Sequence, residues 1–229
     1  MYNKMKKIFF SDKYSLTQAV LDGRKTMTRR IIKCPRTFKG EWVAGFNIHI
    51  RHSDKKIVDW PCMYDADERE FDMGEILPKY ELGEVVAIAQ CYKSLGMNPE
   101  IALDDKDGIG FYTKTKFAPG WKNKMFVRAD LMPHHIRITN IKIERLQAIS
   151  DDECLHEGVE FSQEQYKYDG TKSYFVQNIT EIGSRWNRMF CKHFGTPREA
   201  FAALIDKVSG KGTWESNPYV FVYEFELID

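Results

Sequence analysis

The stretch Tyr219–Leu227, YVFVYEFEL, is a near-continuous run of aromatic and β-branched residues, the composition of a strand in the interior of a sheet. Two further segments read as strands. Glu84–Gln90 (EVVAIAQ) follows a turn at Leu82-Gly83. His135–Leu146 (HIRITNIKIERL) interleaves Ile136, Ile138, Ile141 and Ile143 with polar residues, and its alternation slips by one position between Ile138 and Ile141, as a bulge causes. These three runs are expected to be neighbours in one curved sheet with helices packed outside it. Leu16, Ala19 and Val20 share a face of a short helix, with Ser15 as its N-cap and Gly23 as its stop. Ser150-Asp151-Asp152-Glu153 spells a capping box for a second short helix, running through Leu155 to Glu157 and ending at Gly158. Another helix is expected near 177–193, where Ile179, Ile182, Trp186, Met189 and Phe190 fall at helical spacing. A last one covers Pro197–Lys207, with Phe201, Leu204 and Ile205 inward. Strands and helices that follow one another without a βαβ rhythm indicate an α+β fold.

A chain of 229 residues fits one domain, or at most two, and can bury its core without disulfides or metal. Residues 35–80 suggest a hairpin followed by an acidic stretch, and 94–120 carry the Gly, Pro and Asp clusters of a long loop. Neither has linker composition. One domain over 1–229 is therefore expected, with insertions at about 35–80 and 92–120 that wall one side of a cleft. No apolar run approaches the ~18 residues of a membrane span, and the basic N-terminal stretch is too short in apolar residues for a secretion signal. The expectation is a cytoplasmic protein with no membrane partner. Five dispersed cysteines without a CxxC pair fit reduced thiols. Cys154-x-His156 and Cys191-x-His193 lack the paired spacing of a zinc site, so neither metal nor cofactor is expected. Net charge is only +1, but residues 1–60 hold 14 Lys and Arg against 5 Asp and Glu, and residues 61–110 hold 4 against 12. This asymmetry fits a basic face that meets a phosphate, and it fits equally two solvated patches that neutralise each other.

The segment Gly23–Arg30, GRKTMTRR, resembles the GRKTxTxR signature near the N-terminus of ASCH domains, which are PUA-like mixed β-barrels with surrounding helices. The resemblance continues at Tyr80–Glu84, at Ile141–Asp151 (IKIERLQAISD) with Glu157-Gly158, and at Trp214–Phe225 (WESNPYVFVYEF). The last of these is also similar to longer phage and bacterial members of the family. One branch, the small bacterial N(4)-acetylcytidine amidohydrolases, uses a Lys and a Thr of the signature and a Glu in the helix after the central strands. Carried over by position, these fall on Lys25, Thr28 and Glu157. The chain is about twice the length of those enzymes, so its inserts stand to reshape the pocket.

What the resemblance implies is an amide hydrolysis. Thr28 would attack the acyl carbonyl, Lys25 would take its proton if burial lowers the ammonium pKa, and Glu157 would protonate the departing cytosine nitrogen or position a water. The three are expected in one pocket, with Lys25 hydrogen-bonded to Thr28 directly or through a water. Read from the residues alone, Lys25 fits an exposed basic turn, Thr28 an ordinary strand threonine, and Glu157 a helix-surface residue. The rival function is a binding module for RNA or a modified nucleotide. In it Arg24, Lys25, Arg29, Arg30 and Arg128 contact phosphate, and Trp121 or Tyr112 stacks on a base, although Trp121 fits a core position as well.

Overall fold

A computed structural model of the chain describes residues 5–96, 119–183 and 188–229. Its largest sheet has five strands in the order β1 (Lys7–Ile8), β8 (Val85–Ile88), β9 (His135–Arg145), β13 (Tyr219–Leu227) and β2 (Met27–Ile31). Only the β1–β8 pair is parallel. The three runs expected to be neighbours are therefore β8, β9 and β13, side by side. The slip in β9 is a bulge: Phe225 opposes Ile138 and Glu224 opposes Asn140, which leaves Thr139 without a partner. That bulge re-phases the strand, so the isoleucines on either side of it do not share one simple alternation.

The apolar run Tyr219–Tyr223 in β13 has a direct cause. Tyr219, Phe221 and Tyr223 alternate onto one face and meet rings from the 35–80 region: Phe46 lies 6.3 Å from Tyr219, Trp60 6.0 Å from Phe221, and Tyr80 5.3 Å from Tyr223, centroid to centroid. Val220 and Val222, on the other face, are fully buried in the core that also holds Phe201, Leu204 and Ile205. A strand covered on both faces has no use for polar residues, and each such side chain contributes ~1.5–3 kcal/mol by leaving water.

The 35–80 region folds as a hairpin, β3 (Thr37–Phe38) with β4 (Glu41–Trp42), and a three-stranded sheet of β5 (Gly45–Asn47), β6 (Cys62–Tyr64) and β7 (Glu70–Glu75). The expected long loop falls mostly on residues 97–118, outside the described residues. Helix α1 (Leu16–Leu21) forms where periodicity placed it, but Ser15 does not cap it. A 3₁₀ turn over Asp12–Tyr14 runs straight into the helix, Ser15 turns left-handed (φ 55°), and the Leu16 N–H donates to the Ser11 carbonyl at 2.9 Å. Helix α2 (Asp151–His156) carries the expected capping box, with both reciprocal bonds between Ser150 and Glu153. Gly158 follows at φ 101°, where a Cβ would stand 3.0 Å from Leu16 Cδ2, so the helix can stop and turn against α1 only with glycine there.

After β10 (Glu160–Phe161) and α3 (Gln163–Asp169), the structure departs from the sequence reading. The described residues of 177–193 are not helical. They belong to an antiparallel pair, β11 (Tyr174–Gly183) and β12 (Arg188–Phe194), with a bulge between Phe175 and Thr180 where Asn178 takes φ 62°. The helical spacing of the apolar residues was fortuitous: Val176 and Ile179 are buried, whereas Ile182 is 68% and Met189 71% exposed, so no single stripe faces the core. Trp186 lies outside the described residues. Helix α4 (Pro197–Ser209) has Pro197 in its first turn, a Thr196–Glu199 capping box, and Phe201, Leu204 and Ile205 inward as expected. The short α5 (Thr213–Ser216) leads back to β13.

The molecule is thus a mixed α+β fold. The five-stranded sheet ends at β1 and β2, and no pairing between these edges closes it into a barrel among the described residues. No helix of the described residues is long and apolar enough to cross a membrane.

Candidate functional site

Strand β2 is a sheet edge, and its register with β13 determines which of its groups remain available. The Phe225 N–H donates to Thr26 O and the Ile32 N–H to Tyr219 O, so even-numbered backbone groups of β2 face β13 and odd-numbered ones look outward. The chain reaches this strand from α1 by a turn at Gly23 (φ 70°), and Thr26 fastens it to the end of α2: its N–H donates to His156 O at 3.0 Å, and its hydroxyl lies 2.9 Å from His156 Nδ1. This staple brings Lys25 to Glu157 across 132 residues of sequence.

Lys25 is 2% exposed. Its ammonium donates to Glu157 Oε2 at 2.6 Å, Glu157 O at 2.8 Å and the outward Met27 O at 2.7 Å. Arg29, its side chain wholly buried, lies beyond the same carboxylate. It reaches Glu157 Oε1 at 3.1 Å, Glu144 Oε1 at 2.6 Å and Glu153 Oε2 at 3.0 Å. Lys142 closes the network, 2.6 Å from Glu153 Oε1 and 3.1 Å from Glu144 Oε2. Three cations thus balance three carboxylates, the condition under which charges can be buried. Burial pushes the Lys25 ammonium below its ordinary pKa; the contact with Glu157 opposes this, and the neighbouring Arg30 and Arg29 add to the lowering. Burial would lower Arg29 too, but Glu157, Glu144 and Glu153 outweigh it and hold the guanidinium above its ordinary value.

A cleft of about 710 Å³ opens beside this network, and Lys25, Thr28 and Glu157 all line it. Four exposed cations, Lys13, Arg30, Lys33 and Lys207, border it as well, and among the described residues Glu157 is the sole carboxylate of its lining. Phe9, Phe10, Tyr14 and Phe201 supply aromatic wall, with the Lys25 ammonium 5.8 Å from the centre of the Phe10 ring. Thr28 is buried at 5% exposure, and its hydroxyl has no hydrogen-bond partner among the described residues. The expected direct Lys25–Thr28 hydrogen bond is not made, because all three ammonium protons are already donated elsewhere.

The other sequence-derived residues divide clearly. Arg30 lines the cleft, with Nη2 donating to Phe9 O at 2.6 Å. Arg29 borders the cleft but is no phosphate contact: its guanidinium is committed to carboxylates, and it holds Glu157 in place. Arg24 pairs with Asp22 at 3.0 Å and Glu160 at 3.4 Å, away from the cleft lining. Arg128 pairs with Asp130, also away from it. Trp121 packs against a separate apolar cluster around Tyr92, Val127 and Met132, so its role is in packing. Tyr112 lies outside the described residues. Sequence reasoning passed over Glu144, Lys142 and the second function of Glu153, whose carboxylate caps α2 and also binds Arg29. A signal existed: Lys142 and Glu144 stand two apart on a strand and hence share a face, opposite in charge and next to apolar neighbours. The three carboxylates close on an arginine, and no grouping of His, Cys, Asp and Glu able to hold a metal occurs among the described residues. In comparisons with known proteins, the chain matches no family model, no curated protein and no solved structure.

Proposed function

We propose that the cleft is the active site of an amidohydrolase that removes the acyl group from an acylated nucleoside such as N(4)-acetylcytidine, in an ASCH-type domain whose five-stranded sheet is the main part of a PUA-like barrel. The observation that carries this reading is the buried 2.6 Å contact between Lys25 and Glu157 in a cleft that Thr28 also lines with an unpartnered hydroxyl. The resemblance of GRKTMTRR to the ASCH signature supports the same three residues.

The chemistry follows from proton positions. An ammonium with three committed protons has no lone pair, so Lys25 becomes a base only after one proton passes to Glu157 Oε2. Burial favours the neutral amine of Lys25 over its ammonium. Thr28 Oγ then attacks the acyl carbonyl as its proton moves to Lys25, and Glu157 gives its proton to the departing cytosine nitrogen. The acyl group is left as an ester on Thr28. Water attacks this ester, its proton passes to the Lys25–Glu157 pair, and acetate leaves as Thr28 regains its hydrogen. Arg30 offers a donor at the cleft wall for the developing oxyanion.

The test is release of cytidine from N(4)-acetylcytidine, followed chromatographically. Thr28→Ala should lower the rate by about 10³-fold or more, with a loss of only ~1 kcal/mol in stability, since it removes one methyl and a hydroxyl with no partner among the described residues. Lys25→Met should cost a similar factor, and the double variant no more than either alone. A wild-type rate in Thr28→Ala would sink the mechanism. The four exposed cations favour a second reading, a nucleotide- or RNA-binding cleft without catalysis; acetylcytidine would then stay intact while RNA binding weakens steeply with salt.

A further inference from the structure

A smaller cavity of about 350 Å³ adjoins the cleft, and the two share Phe9, Arg30, Ile31 and Lys33 as lining. Among the described residues its charged lining is Arg30, Lys33 and Lys79, all exposed, with no carboxylate. Several cations elsewhere in the protein do have acidic partners: Lys6 pairs with Glu84, Arg24 with Asp22, Lys124 with Asp12 and Lys142 with Glu153. Among the described residues Lys79 has no acidic partner. Its ammonium lies 5.3 Å from the centre of the Tyr80 ring and 6.0 Å from that of Phe9, between two aromatic faces. The nearby Glu84 is already bound to Lys6. Burial pushes the Lys79 pKa down, and the like charges of Arg30 and Lys6 add to this.

The remaining polar groups are consistent with a receptor for an anion. The Tyr80 hydroxyl donates to Lys7 O at 3.0 Å and is spent. The Tyr223 hydroxyl accepts from the Lys79 N–H at 2.9 Å and retains its own proton to donate. A tetrahedral oxyanion here would meet three cations and one hydroxyl donor against an aromatic wall. We infer that this cavity is a phosphate subsite, taking the phosphate of a nucleotide whose base and acyl group occupy the adjoining cleft. The substrate is then a phosphorylated nucleotide, either a free mononucleotide or a residue of an RNA strand, in preference to the nucleoside. The inference rests on the proposed function for what fills the cleft, and on the second cavity alone for the phosphate.

The test uses unreactive ligands first. Calorimetric binding of cytidine 5′-monophosphate should be about tenfold tighter than that of cytidine, the scale of one charge-assisted contact. In Lys79→Met, and more so with Lys33→Met added, the ratio of the two affinities should fall towards one, whereas Lys79→Arg should keep it. Circular dichroism and the melting temperature show whether each variant is folded, and both side chains are exposed. Tighter binding of a short oligocytidylate than of the monophosphate assigns the phosphate to RNA, and equal binding assigns it to a mononucleotide. Equal affinity for cytidine and its monophosphate in the wild type overturns the subsite, as does a preference that survives the Lys79/Lys33 double variant. Parallel assays with N(4)-acetylcytidine and its 5′-monophosphate separate the two readings. A Lys79-dependent preference without any hydrolysis removes the amidohydrolase and leaves the subsite; hydrolysis that gains nothing from the phosphate removes the subsite alone.

Discussion

Replacing Arg29 by methionine removes the one cation that touches all three carboxylates of the buried network. Methionine fills the space of the aliphatic stem, so the loss is electrostatic more than steric. Glu157 would retain Lys25 at 2.6 Å, and Glu144 and Glu153 would retain Lys142 at 3.1 and 2.6 Å. The balanced network would then carry one uncompensated negative charge. Breaking a buried pair costs about 3–5 kcal/mol. The lower end applies, because each carboxylate keeps one lysine and the Glu144 and Glu153 side chains are 15% and 20% exposed. At ~2–4 °C per kcal/mol for a chain of this length, a ~3 kcal/mol loss lowers the melting temperature by roughly 6–12 °C. Urea unfolding of wild type, Arg29→Met, Glu157→Gln and the double variant would measure the coupling, expected at ~1 kcal/mol or more for residues in one network. A second readout separates positioning from simple stability. Burial is the main cause of the low Lys25 pKa, but the Arg29 charge adds to it, so its removal raises that pKa. If catalysis needs the neutral amine, the acidic limb of the activity profile moves to higher pH. A loss below ~1 kcal/mol, or additive single effects, would refute the account of Arg29 as the holder of Glu157.

Other outcomes follow from the same structure. Burial alone would raise the Glu153 carboxyl, but Lys142, the Ser150 N–H and Arg29 outweigh it and hold it below its ordinary 4.5. Its contribution to stability is therefore present above pH 4.5 and lost as pH falls through the lower folded value. Glu153→Gln should flatten that acid limb in a melting-temperature series, and an unchanged slope would count against the network. Burial pushes the Cys154 thiol up to about 12. Iodoacetamide at about pH 8 should leave Cys154 unmodified in the native protein and label it in guanidinium; native labelling found by peptide mapping would contradict its burial.

Local chemistry was readable in the chain by itself. The capping box of α2, the stop at Gly158, the inward face of α4 and the bulge in β9 were all visible, because each depends on residues within a few positions of one another. Such signals survive any tertiary context that accepts the element. The Lys25, Thr28 and Glu157 set was legible only through the resemblance of short segments, since 132 residues separate Lys25 from Glu157 and nothing local draws them together. Where two periods compete, local pattern was insufficient: the apolar residues of 177–193 fit a helical wheel, and pairing of β11 with β12 prevailed. Side-chain environment was beyond the sequence altogether. Of the adjacent Arg29 and Arg30, alternation along β2 buries one among carboxylates and leaves the other on the cleft, while Lys79 becomes a partner of Arg30 only through the fold. The type of a charged residue states what it can bind; whether solvent, a carboxylate or a cavity faces it is decided by the strands and helices that pack around it.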